Sequence, residues 1–187
     1  MDLVRYDNSD FDRGAPVWKE ALWVLTRCIF FQNSFPWPSE LRVELLRSFG
    51  AKIGKGVVIR ANVNISFPWR LTIGDHVWIG EDVGILSLAS VTLGSNVCIS
   101  QRAYLCTGSH DFRRDDFKLR TAPIVIGDRT WVAAASFIGP DVNIGSDSVV
   151  SAGAVVVKDV PRDSFVRGNP AEISALIKQS QRFPTSP

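Results

Sequence analysis

An aliphatic residue followed by glycine recurs at Ile53-Gly54, Ile73-Gly74, Leu93-Gly94, Ile126-Gly127 and Ile144-Gly145, and between these pairs aliphatic residues return every six positions. A period of six fits neither the 3.6 of an amphipathic helix nor the 2 of a plain strand, so the chain must turn a corner once per six residues. The inward slot runs Ile53, Ile59, Ile65, Ile73, Ile79, Ile85, Leu93, Ile99 and Leu105, then resumes at Ile126, Val132, Ile138, Ile144, Val150 and Val156. Four places after each inward residue stands a small or β-branched one, from Val57 and Val63 through Ala103 and Thr130 to Ser148 and Ala154. Three corners close one coil, because Leu71–Gly80 lies over Val91–Ser100 at an offset of 20 and over Ile124–Ala133. Such units stack into a solenoid, each coil burying the aliphatic residues of its neighbours and pairing backbone at ~4.8 Å. Half of the 14 glycines directly follow an inward aliphatic, where a missing Cβ permits tight or positive-φ geometry beside a corner.

At 187 residues the chain is one domain's worth, with apolar content sufficient for a core. Its 21 basic and 19 acidic residues are interspersed, so there is no electrostatic case for a nucleic-acid partner. Cys28, Cys98 and Cys106 form no CxxC pair or metal-ligand spacing, and an odd count in a chain without a signal peptide favours a reducing compartment, the cytoplasm. The apolar run Val17 to Phe31 holds Lys19, Glu20 and Arg27 and is shorter than the roughly 20 residues that span a bilayer.

Three regions follow from the pattern. Residues 1–50 form a helical arm: Pro16 opens a helix containing Trp18, Leu22, Trp23, Leu25, Ile29 and Phe30, and Ser39 opens a second with Leu41, Leu45, Leu46 and Phe49 inward, ended by Gly50. Covering the open end of the bore is the expected use of this pair, with peripheral contact to a membrane surface as a second use. Residues 51–160 carry the repeat, interrupted at 111–123 by a charged segment that must loop outward. Residues 161–187 are expected to hold a short helix capped at Asn169-Pro170, with Ile173, Leu176 and Ile177 on one face, and a loose tail from Phe183 to Pro187.

A repeat core is structural by default, so chemistry is sought where the pattern breaks. The largest break starts at His110, whose imidazole can accept a proton near neutrality and so suits a general base; a corner histidine making one hydrogen bond is the plainer reading. Trp131 takes an outward slot where a flat indole either lines a ligand groove or packs against another subunit, and Trp78 holds the same slot two coils earlier. His76 stands at a corner where other coils carry polar residues and is read as solvated. Asp111 either orients a ring, binds a sugar hydroxyl or caps a turn. Lys158 near the last coil meets a phosphate or keeps the end soluble. No metal site is expected, since zinc hydration chemistry on such a scaffold needs three histidines and the chain has two.

The repeats, the Leu105-Cys-Thr-Gly-Ser-His-Asp111 junction, the protruding loop, Pro123-Ile-Val-Ile-Gly-Asp-Arg-Thr-Trp131, and the closing Lys158-Asp159 and Gly168-Asn-Pro170 resemble hexapeptide-repeat O-acetyltransferases. Within them the chain is similar to the colanic-acid-type polysaccharide acetyltransferases, relatives of the galactoside and maltose enzymes, and Phe49-Gly-Ala-Lys-Ile-Gly-Lys55 extends the likeness into the arm. The resemblance implies an all-β solenoid, a left-handed parallel β-helix, assembled as a homotrimer with the site in a groove between adjacent solenoids. It implies acetyl-coenzyme A (acetyl-CoA) as co-substrate, a sugar or oligosaccharide acceptor, His110 as catalytic base, and Trp131, Ala134, Ala152 and Lys158 lining the cofactor.

On the acceptor side Asp111 and Ser87 are the candidate residues, although the asparagine that touches the sugar in the galactoside enzymes has no clear match around Leu86 and Ser87. Ala134 stands where those enzymes place a serine near the thioester carbonyl, so an oxyanion donor there must be a backbone amide. Glu172 and Ala175 replace basic residues that meet the CoA phosphate. A non-catalytic trimeric scaffold is the alternative function, distinguished by failure to release thiol with any sugar.

Overall fold

The computed structural model describes residues 3–176. The six-residue beat becomes a three-faced parallel solenoid. Its first face stacks Lys52–Ile53, Leu71–Ile73, Val91–Leu93, Ile124–Ile126 and Val142–Ile144. The second stacks Val58–Ile59, Trp78–Ile79, Cys98–Ile99, Trp131–Val132, Val149–Val150 and Ser164–Arg167, and the third Asn64–Ile65, Gly84–Leu86, Tyr104–Cys106, Phe137–Ile138 and Val155–Val156. Register follows the sequence offset, with Ile73 against Ile53 and Leu93, and Val132 against Ile99 and Val150. The architecture is consistent with the left-handed β-helix that the resemblance implies.

Every inward aliphatic except the half-buried Ile53 is buried, and so are the second-slot residues, including the polar Thr130, Ser136 and Ser148. Burial of each Val, Leu or Ile contributes roughly 1.5–3 kcal/mol, so the solenoid is held by a continuous apolar column. The polar second-slot residues are tolerated because each meets backbone carbonyls: Ser136 Oγ donates to Ala133 O at 2.7 Å and Ser148 Oγ to Pro161 O at 3.1 Å.

The glycines after the inward residues serve close approach and have ordinary φ. A Cβ on Gly74 would lie 2.7 Å from Gly94 C of the next coil. The left-handed position comes two residues later, at Gly56, His76, Asn96, Arg129 and Asp147. His76 is exposed there, as its solvated reading expects.

Two helices close the first coil. α1 (Val17–Phe30) starts just after Pro16 and α2 (Ser39–Ser48) just after Pro38, neither with a side-chain cap. Ser39 is the first residue of α2 and its Oγ accepts from Ile59 N–H at 2.7 Å, while Gly50 follows the end of α2 with φ of +100°. Trp23 is wholly buried, packs on Phe31 and Phe49 and donates its Nε1–H to Ile65 O at 2.9 Å. From α2, Arg42, Val43 and Leu46 are buried and Phe49 follows them in, while Leu41 and Leu45 are half-buried. Arg42 is the polar surprise, with its guanidinium donating to the carbonyls of Phe30, Trp37, Phe35 and Ile59. Burial pulls its pKa below that of a free arginine, with Arg60 adding repulsion. The inner faces of both helices join the core of the first coil, but Trp18, Leu22, Leu25 and Ile29 of α1 point outward.

The far end departs from expectation. Glu172–Ala175 is a strand, antiparallel to Ser164–Arg167 with Ile173 opposite Val166, and the solenoid runs past residue 160. The i, i+3 spacing of Ile173 and Leu176 suggested a helix; the last coil's open edge wins, because a returning strand satisfies its backbone groups. Ile177 and the tail from Phe183 to Pro187 lie outside the described residues. Among the described residues no helix is long and apolar enough to cross a membrane.

Candidate active site

The chain leaves the solenoid after Tyr104–Cys106, at the corner between the third and first faces, and returns at Ile124. The excursion is a β-hairpin, Gly108–His110 against Leu119–Thr121, with His110 opposite Leu119. Its root is tied to the coil by Thr107 N–H to Leu86 O and Ala122 N–H to Thr107 O. Its tip is held by a forked pair in which Arg114 donates to Asp116 at 2.9 and 2.7 Å, and the guanidinium draws the Asp116 carboxyl down to about 2.

His110 is half-buried and contacted on several sides. Its Nδ1 lies 2.9 Å from Phe117 O, and its ring stacks on that of Phe117 at 4.3 Å with planes 1° apart. A carbonyl only accepts, so Nδ1 carries the proton and the neutral ring keeps a lone pair on Nε2. Tyr6 meets the imidazole edge-on at 5.6 Å. The segment bearing Tyr6 is fastened over the hairpin by Lys118 Nζ to Asp10 Oδ2 at 2.5 Å and by a bond from the Arg70 guanidinium to Asp12 O.

His110 and Asp111 line one cavity of about 390 Å³ with Phe112, Arg113, Arg120 and Asp141. Asp111 does what an acid at a loop start does, accepting from Arg113 N–H at 3.1 Å, and its other oxygen stands 4.0 Å from Arg120. Ser87 does not reach this cavity. Its side chain is wholly buried and its hydroxyl both accepts from Phe67 N–H at 2.9 Å and donates to Phe67 O at 3.0 Å, so the expectation of acceptor contact fails.

Trp131, Ala134 and Ala152 line a second cavity of about 390 Å³ on the second face, with Ser100, Val149 and Phe165. The indole is half exposed and held by Nε1–H to Ser100 Oγ at 2.8 Å. The two alanines leave a shelf beside it, and a largely apolar floor with few polar groups suits a thioester-bearing chain. Trp78, also outward, stands in the same ladder with Cys98 between the two tryptophans. Lys158 is exposed and lines a third cavity with Val155, Pro170 and Ile173. The His110 and Trp131 cavities share no lining residue. Among the described residues no cluster of His, Cys, Asp or Glu could hold a metal.

Sequence reasoning missed Phe117, Tyr6 and Ser100. Only Ser100 carried a signal, standing where the preceding coil has Gly80 and the following one Ala133.

Residues 70–100 and 123–158 match the family model described as the hexapeptide repeat of succinyl-transferase. A protein of Escherichia coli (strain K12), assigned as a colanic acid biosynthesis acetyltransferase, is 45% identical over 173 residues, covering 92% of this chain and 95% of that protein. The galactoside O-acetyltransferase of the same organism is 29% identical over 146 residues, covering 76% of this chain and 72% of that one. Among solved structures, a hexapeptide-repeat acetyltransferase of Vibrio cholerae O1 biovar eltor complexed with acetyl-CoA superposes with a TM-score of 0.79 at 30% identity, covering 88% of this chain and 92% of that one. A galactoside acetyltransferase in complex with coenzyme A gives 0.80 at 25% identity, covering 95% and 90%. Solenoid, interrupting hairpin and near full-length similarity agree: the chain belongs to the hexapeptide-repeat acetyltransferases.

Proposed function

We propose that the protein transfers an acetyl group from acetyl-CoA to a hydroxyl of a sugar or oligosaccharide precursor, with His110 as general base. The observation that carries this reading is the bond from Nδ1 to Phe117 O, which leaves Nε2 as the acceptor nitrogen of a held ring beside an open polar cavity. Acetyl-CoA supplies an activated acyl carbon as a thioester. Trp131, Ala134, Ala152 and Lys158 are the residues assigned to hold it, and Asp111 is assigned to the acceptor side. Nε2 takes the proton of the acceptor hydroxyl as that oxygen attacks the thioester carbonyl; the C–S bond breaks and the proton passes to the departing CoA sulfur, so the sugar ester and free CoA thiol form with no covalent enzyme intermediate. With Ala134 lacking a hydroxyl, charge on the carbonyl oxygen is met by backbone amides.

The separation of the two half-sites favours assembly into a homotrimer, in which one chain brings His110 and its neighbour brings Trp131. Three unpaired cysteines among the described residues fit a cytoplasmic location. The test is thiol release from acetyl-CoA across a panel of sugar acceptors. His110→Ala is expected to lower kcat by ~10²- to 10⁴-fold. Wild-type turnover in that variant removes the base assignment, and no turnover by the unaltered protein with any acceptor favours the scaffold alternative.

A further inference from the structure

Helix α1 is inverted relative to a helix bathed in water. Its exposed large residues are Val17, Trp18, Leu22, Val24, Leu25 and Ile29, with Trp18 68% and Leu25 57% exposed. The remaining exposed positions are Ala21 and Cys28. At 100° per residue these positions sweep a continuous arc of about 160° containing no charged group, its one polar side-chain atom being the Cys28 thiol, which donates to Gln32 Oε1 at 3.7 Å. The charged residues of α1 all turn toward the protein. Glu20 pairs with Arg13, the Lys19 ammonium sits 5.3 Å over the Trp69 ring, and Arg27 Nη1 donates to Ile65 O at 3.3 Å. Trp23 and Arg27 anchor the inner face to the first coil, so the helix cannot roll to hide its outer one.

We propose that this outer face lies in the surface of a phospholipid bilayer, with α1 parallel to the membrane plane. A second copy is the poorer occupant on geometric grounds. Two convex helices meet along a narrow seam of a/d width and would leave the flanks of a 160° arc wet, whereas acyl chains and headgroups follow the curve and cover all of it. At 14 residues the helix is about 21 Å long, which suits lying in the interface and not spanning it. Aromatic residues mark both ends of the stripe, Trp18 at the start and Phe35, 57% exposed, just beyond the end, where interfacial helices carry their anchors. If the trimer of the preceding section holds, cyclic symmetry sets three such helices at one level, and their binding becomes cooperative through effective concentration.

Because the outer face is uncharged, binding should come from apolar insertion. The full-length protein is expected to float with pure phosphatidylcholine vesicles, equally at low and high salt, with Trp18 quenched by shallowly brominated lipid. Leu22→Gln with Leu25→Gln should lower partitioning by on the order of tenfold or more per leucine. That variant should retain the wild-type melting profile and thiol-release rate with a soluble acceptor, which separates this proposal from the acetyl-transfer reading. No flotation of the unaltered protein overturns the proposal, as does flotation confined to anionic vesicles and reversed by salt. A wild-type particle twice the mass of the double variant by light scattering also overturns it, by showing a second copy on the stripe.

Discussion

His110 and Phe117 touch twice: the two rings lie parallel at 4.3 Å, and the phenylalanine carbonyl takes the imidazole Nδ1–H at 2.9 Å. Phe117 reaches this position with φ of +48°, in the left-handed region that costs a side-chain-bearing residue roughly 1–2 kcal/mol. The hairpin turn thus sets the tautomer through backbone and the ring orientation through side chain. Phe117→Ala keeps the carbonyl and loses the stack. We expect kcat to fall about tenfold through misorientation, with the KM for acetyl-CoA unchanged, and Phe117→Tyr to restore it. Unchanged kcat in Phe117→Ala would mean that the ring does not position the histidine.

The hairpin tip yields a prediction on the acid side. Asp116 titrates near 2 because Arg114 grips it, well below an ordinary carboxylate. A depressed folded-state pKa means that the pair supports the native tip fully above the ordinary carboxylate range and stops doing so as pH falls from about 4 toward 2. The Asp116 side-chain carboxyl resonance should therefore show a midpoint near 2, returning toward the ordinary range in Arg114→Gln. Since Arg114 is exposed and Asp116 half-exposed at the hairpin tip, the global melting temperature should barely respond to that substitution.

Two glycines separate steric from conformational cost. Gly74→Ala drives a Cβ to 2.7 Å from the next coil's backbone, and relief requires the coils to part. Gly153 has φ of +70° with nothing within 4 Å of its imaginary Cβ, so Gly153→Ala costs only the left-handed conformation. We expect about 1–3 kcal/mol for the first, through overpacking, and about 1 kcal/mol for the second. Thermal melts of the two variants should differ in that order, and the reverse order would contradict the close-packed corner.

These corners also show what the sequence could convey. The six-residue period identifies inward residues because burial on a bore is decided by register alone, and Ile59 to Val156 obey it. His110 stood out because a repeat stopped there. Phe117 and Tyr6 did not, since their contact with His110 depends on how a hairpin folds and where the N-terminal segment crosses it, and neither has a period. Ser87 misled for the opposite reason: it stands in the stretch where the galactoside enzymes carry an acceptor-binding asparagine, yet its own slot points inward to Phe67. In α1 the apolar spacing was visible, but a helix apolar on two sides does not announce which side meets the solenoid. At the other terminus a six-residue stretch was too short to distinguish a helix from a closing strand.

Arg42 carries the cap. Its guanidinium, almost wholly buried, collects four carbonyls, one of them Phe30 O at the end of α1. Arg42→Ala leaves these acceptors without a donor in an apolar setting, at about 1–3 kcal/mol each where water cannot enter. We expect a total loss of at least about 3 kcal/mol and a melting temperature lower by roughly 6–12 °C. Arg42→Lys should recover little, because an ammonium cannot fork across acceptors spread around a planar group. A melt within about 2 °C of the unaltered protein would show that the cap does not rest on this residue.

The shared-site reading can be tested without knowing the acceptor in advance of a screen, by mixing two inactive chains. His110→Ala removes the base and Trp131→Ala removes the indole wall, and the two half-sites line separate cavities of one protomer. If each site combines His110 of one chain with Trp131 of the next, a trimer containing both variants holds interfaces where the intact histidine faces the intact tryptophan. Random assortment makes about a quarter of all interfaces of this kind. Co-expressed and co-purified chains should then recover up to about a quarter of wild-type thiol release, while the separately purified variants mixed without exchange recover none. Absence of recovery in verified mixed trimers would place the whole site within one chain.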